Sequence, residues 1–408
     1  MDIKKDIKEI QIAIDELTNN LVKEKFNIQD FDSYSKILKK RFFENQSMYE
    51  TSRLCSFPGC KNLSINRSHS IPKSVVLRNI ADNGHLYKPS VDIKNPMNAC
   101  IMEKIGIQHA SVFPGYCTTH EQLFNSFEKD GDIDSTENAL LQTYRDICRE
   151  RVHREIEKEI NNAMKNEYTN ILNNESQNFL MTNLKKTDSN VKVTSITIDN
   201  ADYVQKLIND INSDLTEQIE TLKKAEESLL NTLYLGKDEV FGGVTSIDIS
   251  LPIALCGYAS VGYRLDKSIE DNTAIMFLNV IPLKDKTSIV YIAENKYKII
   301  FEKYFDFAFQ DPIHLLNAIE SFMIYGSDHW FIRPSYWDSF PKEKQTKILT
   351  DILKTKENIF KEYPISIFDD VRDKLITYFE KNNSNKRISD EVLAFLNNEK
   401  SKINKKIF

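Results

Sequence analysis

Two short stretches of this 408-residue chain carry side chains that bind metals. The first, "CSFPGC", sets Cys55 and Cys60 on either side of a Pro-Gly turn, as C-x4-C. The second, "FPGYCTTHEQLF", follows another Pro-Gly pair with Cys117 and His120, as C-x2-H. A tight turn can bring two thiolates to the ~3.7 Å separation that a tetrahedral zinc demands, given Zn–S distances of about 2.3 Å. A helix that starts near Thr118 puts Cys117 at its mouth and His120 on its first turn, facing the same ion. The reading is a Cys3His structural zinc site made of Cys55, Cys60, Cys117 and His120. Four buried residues without a metal, or a disulfide, are the competing readings. Six cysteines in a chain this long are too sparse for a disulfide scaffold, and clustered cysteines in such a chain are more often metal ligands. His69, in "NRSHSIPKS", lies between the two pairs and outside that closed set. An alternative set uses His69 in place of His120, which would make the region a plain zinc finger.

The elements that must position these residues are legible in outline, and together they give an α+β class. Residues 1–51 read as amphipathic helix, with Ile3, Ile7, Ile10, Ile14 and Leu17 on one face. Residues 52–134 lose periodicity and are dense in Pro, Gly, Cys and His. Cys55, Cys60, Cys100, Cys117, His69, His85, His109 and His120 all fall there. The apolar content of this stretch is thin for its size, the situation in which a metal substitutes for core. We expect a zinc-stabilised ββα-like domain. Pro72 is placed to begin a helix, since its missing N–H costs nothing there.

Residues 135–237 read as two long helices with a short β-like break at "NVKVTSITIDNADY", which makes a hairpin or a dimerising arm. The first opens on Ser135 and Thr136 with Glu137 behind them, a capping pattern. Residues 238–408 begin with β-rich runs such as "TAIMFLNVIPL" and "TSIVYIAENKYKIIF". These predict a largely antiparallel sheet of three to five strands with flanking helices, serving to sense or regulate. Cys256 and the tryptophans Trp330 and Trp337 read as core or interface. His314 on "DPIHLLNAIE" reads as structurally satisfied.

Composition excludes some classes. Hydrophobic content of 41% and charged content of 28% are ordinary for a soluble globular chain. No apolar run approaches the ~20 residues a bilayer span needs, and "MDIKKDIKEIQIAIDEL" has no uninterrupted apolar stretch of the signal-peptide kind. The expectation is a cytoplasmic protein with no membrane partner. A net charge of −6 gives no global attraction to nucleic acid, so any such contact must rest on a local basic patch. Arg67, Lys73 and Arg78 flank His69, and Arg145, Arg149, Arg151 and Arg154 crowd a helix. Asp146, Glu150, Glu155 and Glu157 interleave with those four, so ion pairing competes with phosphate binding. The chain lacks Walker-type and dinucleotide glycine motifs, G-x-S-x-G and H-E-x-x-H.

A histidine before Ile-Pro ("SHSIP"), asparagines in "KNPMNAC", and "YCTTHEQLFN" follow one another in an order that resembles the HNH, or ββα-metal, endonucleases. The resemblance covers roughly residues 52–128. It implies that His69 ends a strand and acts as general base, and that Asn98 or Asn95 braces the loop. It also implies that Glu121 and Asn125, on one helical face, hold a catalytic Mg2+ or Mn2+ through oxygen atoms. His85 and His109 are spare candidates. Family members usually carry Asp, Glu or His just before the base, where this chain has Ser68. They usually close the motif with a histidine, where it has Asn125. The implied activity is metal-dependent DNA cleavage, in a setting such as anti-phage defence. A non-catalytic zinc-stabilised scaffold or nucleic-acid-binding protein is the other class the residues allow.

Overall fold

The computed structural model describes residues 51, 53–90, 100–130, 132–184, 195, 197, 199, 201–263, 272–352, 357–383 and 389–403. The amphipathic face expected within residues 1–51, the loop asparagines Asn95 and Asn98, and most of the β-like break around residue 195 lie outside the described residues. The chain is mixed α and β and divides into two compact units.

The larger unit comprises Thr51–Val91, Ala99–His153 and Glu220–Phe408. Its first strands are β1 (Ser68–His69), β2 (His85–Ser90), β3 (Ile101–Gly106) and β4 (Val112–Phe113). Two short helices follow, α1 (Thr118–Glu121) and α2 (Asn125–Asp130), joined by a 3-10 turn over Gln122–Phe124. The long helix α3 (Thr136–Ala163) begins where its capping pattern predicts, with the Ser135 hydroxyl accepting from the Asn138 N–H at 3.2 Å. Pro72 caps a five-residue π-helix at Lys73–Leu77.

In the other unit, Arg154–Ile219, α3 continues, α4 spans Lys165–Leu184 and α5 (Ala201–Leu235) returns. Ile156, Ile160, Met164 and Tyr168 recur every four residues and are buried, as are Val204, Ile208, Leu215 and Ile219. Lys158 donates to Thr216 at 2.7 Å, and Asn161 to Asn212 at 3.3 Å. Partner numbers fall as α3 numbers rise, so α3 and α5 run antiparallel. The two helices thus lie side by side as a hairpin.

The large sheet departs from the expected three to five strands. β5 (Val240–Ile247), β6 (Ile253–Tyr263), β7 (Asn272–Pro282) and β8 (Thr287–Glu294) come from the expected region. After helices α6 (Lys298–Ala308) and α7 (Pro312–Tyr325), β9 (Trp330–Ile332) enters the same sheet. The strand order is β3-β2-β9-β6-β7-β8-β5, and every pairing is antiparallel. β9 pairs with β6 through Trp330 and Leu255, and with β2 through Ile332 and Tyr87. The paired strands β2 and β3 thus extend a sheet whose other strands begin more than 130 residues later, which local periodicity cannot reveal. Trp-Phe-Ile suits a strand and Pro334 ends it, opening α8 (Pro334–Asp338). β8 is buried along nearly its whole length, so both of its faces are covered.

The remaining helices are α9 (Lys342–Ile352), α10 (Asp369–Asn383) and α11 (Asp390–Lys402). Lys344 of α9 pairs with Asp369 at the start of α10 at 2.8 Å, and a buried ionic cluster ties α10 and α11 to α7. Arg372 pairs with Glu320 at 2.6 Å and with Glu399, and Glu320 also accepts the Ile367 N–H at 2.6 Å. Both tryptophans are buried, and Trp330 Nε1 donates to the Met323 carbonyl at 3.0 Å. They serve the core, as does Cys256.

Candidate metal centre and active site

The knuckle at residues 55–60 is closed by local bonds. The Cys60 N–H donates to the Phe57 carbonyl at 3.1 Å, and the Cys55 N–H to the Asn62 carbonyl at 2.9 Å. Gly59 takes φ +75°, a left-handed turn that favours glycine. The second pair is presented by a close approach at Gly115, where a Cβ would meet the Phe113 ring at 2.3 Å. Two backbone bonds join the pieces: Ser56 N–H to the Gly115 carbonyl and Ile65 N–H to the Tyr116 carbonyl, both 2.8 Å. Cys117 then caps α1 with extended backbone and His120 falls within its single turn, as the spacing predicted.

These turns bring Cys55, Cys60, Cys117 and His120 together, with one donor atom from each lying within 4.8 Å of the others. His120 Nδ1 is 3.4 Å from the Sγ atoms of both Cys55 and Cys117, and the Cys60 and Cys117 sulfurs are 3.9 Å apart. Those separations match the edges of a tetrahedron around an ion with ~2.0–2.3 Å ligand bonds. The four residues can therefore hold a metal ion. All six cysteines are free thiols, which sets the disulfide reading aside. Phe57 stacks on the His120 ring, centroids 4.1 Å apart, and fixes its plane. Burial pushes the Cys55 thiol up to about 11. Burial acts the same way on Cys117, but the backbone N–H groups of His120 and Thr119 at the helix mouth outweigh it and bring the thiol down to about 6.

His69 is not one of the four. It ends β1, paired with Val112 of β4, and α1 follows β4 within five residues. β1 and β4 form a two-stranded ladder, and the β2–β3 pair lies between them in sequence. His69 Nδ1 lies 3.0 Å from the Ala110 carbonyl. A carbonyl only accepts, so Nδ1 carries the hydrogen and Nε2 holds the free lone pair. Burial lowers the imidazole to about 4, against the Ala110 bond, with the charges of Lys73 and Arg145 adding to the effect. The ring is neutral at pH 7.

Ser68 stands where a ligand was expected and does something else. Its hydroxyl donates to Glu121 Oε2 at 2.8 Å and accepts the Tyr116 N–H at 3.1 Å, so it orients the carboxylate. Burial raises the Glu121 carboxyl, Arg145 and the Ser68 bond lower it, and Glu128 raises it further. Arg145 is fully buried. It donates to Glu128 Oε1 at 2.8 Å and lies over the Phe124 ring at 4.0 Å.

A 3-10 turn, Gln122–Phe124, runs between Glu121 at the end of α1 and Asn125 at the start of α2. Glu128, seven residues after Glu121, was missed. It lies on α2, accepts from Arg145 at 2.8 Å, and its charge raises the Glu121 carboxyl. Arg149, Arg151 and Arg154 pair with Glu150, Glu226 and Glu157, the ion pairing that competes with phosphate binding along this helix. Arg67 and Arg78 are exposed and Lys73 partly so. His85 binds the Asn83 carbonyl in an exposed turn, His109 is exposed, and His314 closes on Asp311 at 2.7 Å; none joins His69.

No protein-family model matches the chain, no curated protein matches it, and no solved structure matches it. Fold and site define a mixed α and β protein with a large antiparallel sheet and a Cys3His cluster able to hold a metal ion. Among the described residues, no helix is long and apolar enough to cross a membrane.

Proposed function

We propose that the chain is a metal-dependent DNA endonuclease of the HNH type, stabilised by zinc at Cys55, Cys60, Cys117 and His120. The observation that carries this reading is the state of His69. It stands at a strand end beside the metal cluster without belonging to it, its Nδ1 is committed to a carbonyl, and its neutral Nε2 is left as the base. Three thiols and an imidazole suit zinc. Glu121 and Asn125 offer the oxygen donors that Mg2+ or Mn2+ requires. Such a cation, when bound, neutralises charge on the phosphate and on the leaving oxygen.

The chain's own residues supply the proton chemistry. His69 Nε2 takes a proton from water as the water oxygen bonds to phosphorus. The bond from phosphorus to the 3′ oxygen breaks, and that oxygen is protonated by solvent. The products are a 5′ phosphate and a 3′ hydroxyl. Arg67, Lys73 and Arg78 flank the base and provide the local positive charge that a net charge of −6 does not. A cytoplasmic effector of anti-phage defence is the setting that fits this chemistry.

Supercoiled plasmid incubated with the protein and Mg2+ or Mn2+ is expected to be nicked and then linearised, with no reaction in EDTA. Glu121→Gln should lower the rate and raise the cation concentration needed. Absence of cleavage in either cation, from protein that retains its zinc, would leave a zinc-stabilised scaffold as the function.

The acid limb of the rate profile follows from His69 and Glu121. A base is competent above its own pKa, so His69 stays competent down to about pH 4, and any acid limb above that reports the Glu121 carboxyl, which burial raises, and should move in Glu121→Gln. Half-loss near 6.5, the ordinary histidine value, that persists in Glu121→Gln would show that His69 is not held as described.

A further inference from the structure

β1 is two residues long and pairs with only two residues of β4. A two-residue ladder is too small to hold a side chain in one place. The position of His69 must therefore come from its neighbours, and Ser70 is the neighbour that is anchored. Its N–H donates to the Ser111 carbonyl at 2.9 Å. Its own carbonyl accepts from Gln142 Nε2 of α3 at 2.9 Å. Its hydroxyl shares a 2.9 Å hydrogen bond with His329 Nε2, at the head of β9. Gln142 Nε2 also lies 3.0 Å from Asn279 Oδ1 on β7. Ser70, Gln142, Asn279 and His329 are all buried among apolar strands.

Polar groups in such a core cost stability unless they are bonded, and apolar residues of similar size would fill the space without that demand. The opposite side of the strand end is strained in the same cause. Ser111 takes φ +56°, uncommon for a residue with a side chain. It follows Ala110, whose carbonyl holds His69 Nδ1, and its hydroxyl lies 3.3 Å from the Ile71 N–H. Backbone strain of this kind persists where the surroundings over-determine it, and it gathers at functional sites.

We infer that His329 and Gln142 are positioning residues for His69, acting through Ser70, so that the seven-stranded sheet sets the geometry of the base. The inference rests on the endonuclease reading for its catalytic consequence. Its structural content, control of the His69 ring from β9 and α3, stands apart from that reading. A sheet tied to the base in this way also gives the C-terminal half a route to the site, since a shift of β9 against α3 moves Ser70.

The test uses the full chain carrying His329→Phe, Ser70→Ala and the double substitution. It measures plasmid cleavage in Mn2+ and the nitrogen resonances of the His69 ring in histidine-labelled protein, assigned with His69→Ala. His329→Phe should lower kcat roughly 10- to 100-fold with KM within about two-fold, the scale seen when a residue that orients a functional ligand is removed. Ser70→Ala, which deletes only a hydroxyl and keeps the fold, should do the same. The double variant should be no worse than the poorer single one, because both act through one hydrogen bond. His329→Gln should recover part of the rate. In His329→Phe the His69 ring should lose its single Nδ1–H form. Cleavage within two-fold of wild type in both single variants, or losses that multiply, would overturn the inference. If wild-type protein does not cleave, the endonuclease reading fails. The ring resonances then decide the inference, and an unchanged His69 in both variants overturns it.

Discussion

Replacing Cys117 with serine is expected to empty the Cys3His site and free the segment around residues 53–67. A serine hydroxyl does not ionise near neutrality, and zinc is held by thiolate. Cys117 is also the ligand that the fold prepares most fully. It caps α1, its N–H donates to the Cys55 sulfur at 3.3 Å, and its thiol is the one brought down in pKa. Structural zinc binds zinc-finger peptides with apparent free energies of about 10–16 kcal/mol. Whole domains are stable by about 5–15 kcal/mol, so losing a bound metal should loosen this region. The ties that stay include the Leu54–Leu63 bridge, the Cys55 and Ser64 N–H bonds to the Asn62 and Arg53 carbonyls, and the backbone bonds from Ser56 and Ile65. Zinc content should fall from one per chain to background, and limited trypsin digestion should cut after the exposed Lys61 and Arg67. The sheet should persist, because it is built from strands far from the knuckle. Cys256→Ser, a change in the core at β6, should keep its zinc. A Cys117→Ser protein with full zinc content would show that the four residues do not act as a set.

Replacing His69 with alanine is expected to lower cleavage about 10^2- to 10^4-fold, the range for loss of a positioned general base. The size of the effect depends on the ring being both neutral and fixed. Neutrality follows from burial, reinforced by Lys73 and Arg145. Orientation follows from the Ala110 carbonyl on Nδ1 and from the anchoring of Ser70. Removing the ring deletes its bond to Ala110 but leaves the Ser70 anchors and the four cluster residues in place, so the strand pair and the zinc site should survive. An effect below about ten-fold would mean that another group takes the proton, and Glu128, whose charge is felt by both His69 and Glu121, is the one in range.

The parts of the site legible in the sequence were those set by short-range spacing. C-x4-C around Pro-Gly and C-x2-H at a helix mouth are local patterns whose geometry is nearly fixed by their turns, and the four side chains converge as the spacing implied. The helix start at Thr136 was legible for the same reason. Three kinds of feature were not. Ser68 was read as a missing ligand because its partner, Glu121, lies 53 residues away. The seven-stranded sheet was undercounted because β2 and β3 are recruited by a three-residue strand, Trp330–Ile332, too short to show a period. The arginines on α3 pair partly with interleaved acids that the pattern offered, Glu150 and Glu157, and partly with Glu128 and Glu226 on other elements, which it did not. Long-range pairing decides each of these cases, and one-dimensional periodicity carries no record of it.

One preparation of His69→Ala, measured for both zinc content and plasmid cleavage in Mg2+ and Mn2+ beside the wild type, tests the central claim most directly. The account predicts that the variant holds one zinc per chain, as the wild type does, and has lost cleavage. A variant that cuts as fast as the wild type, or one that loses its zinc with its activity, would contradict the separation of a closed metal site from a free histidine base.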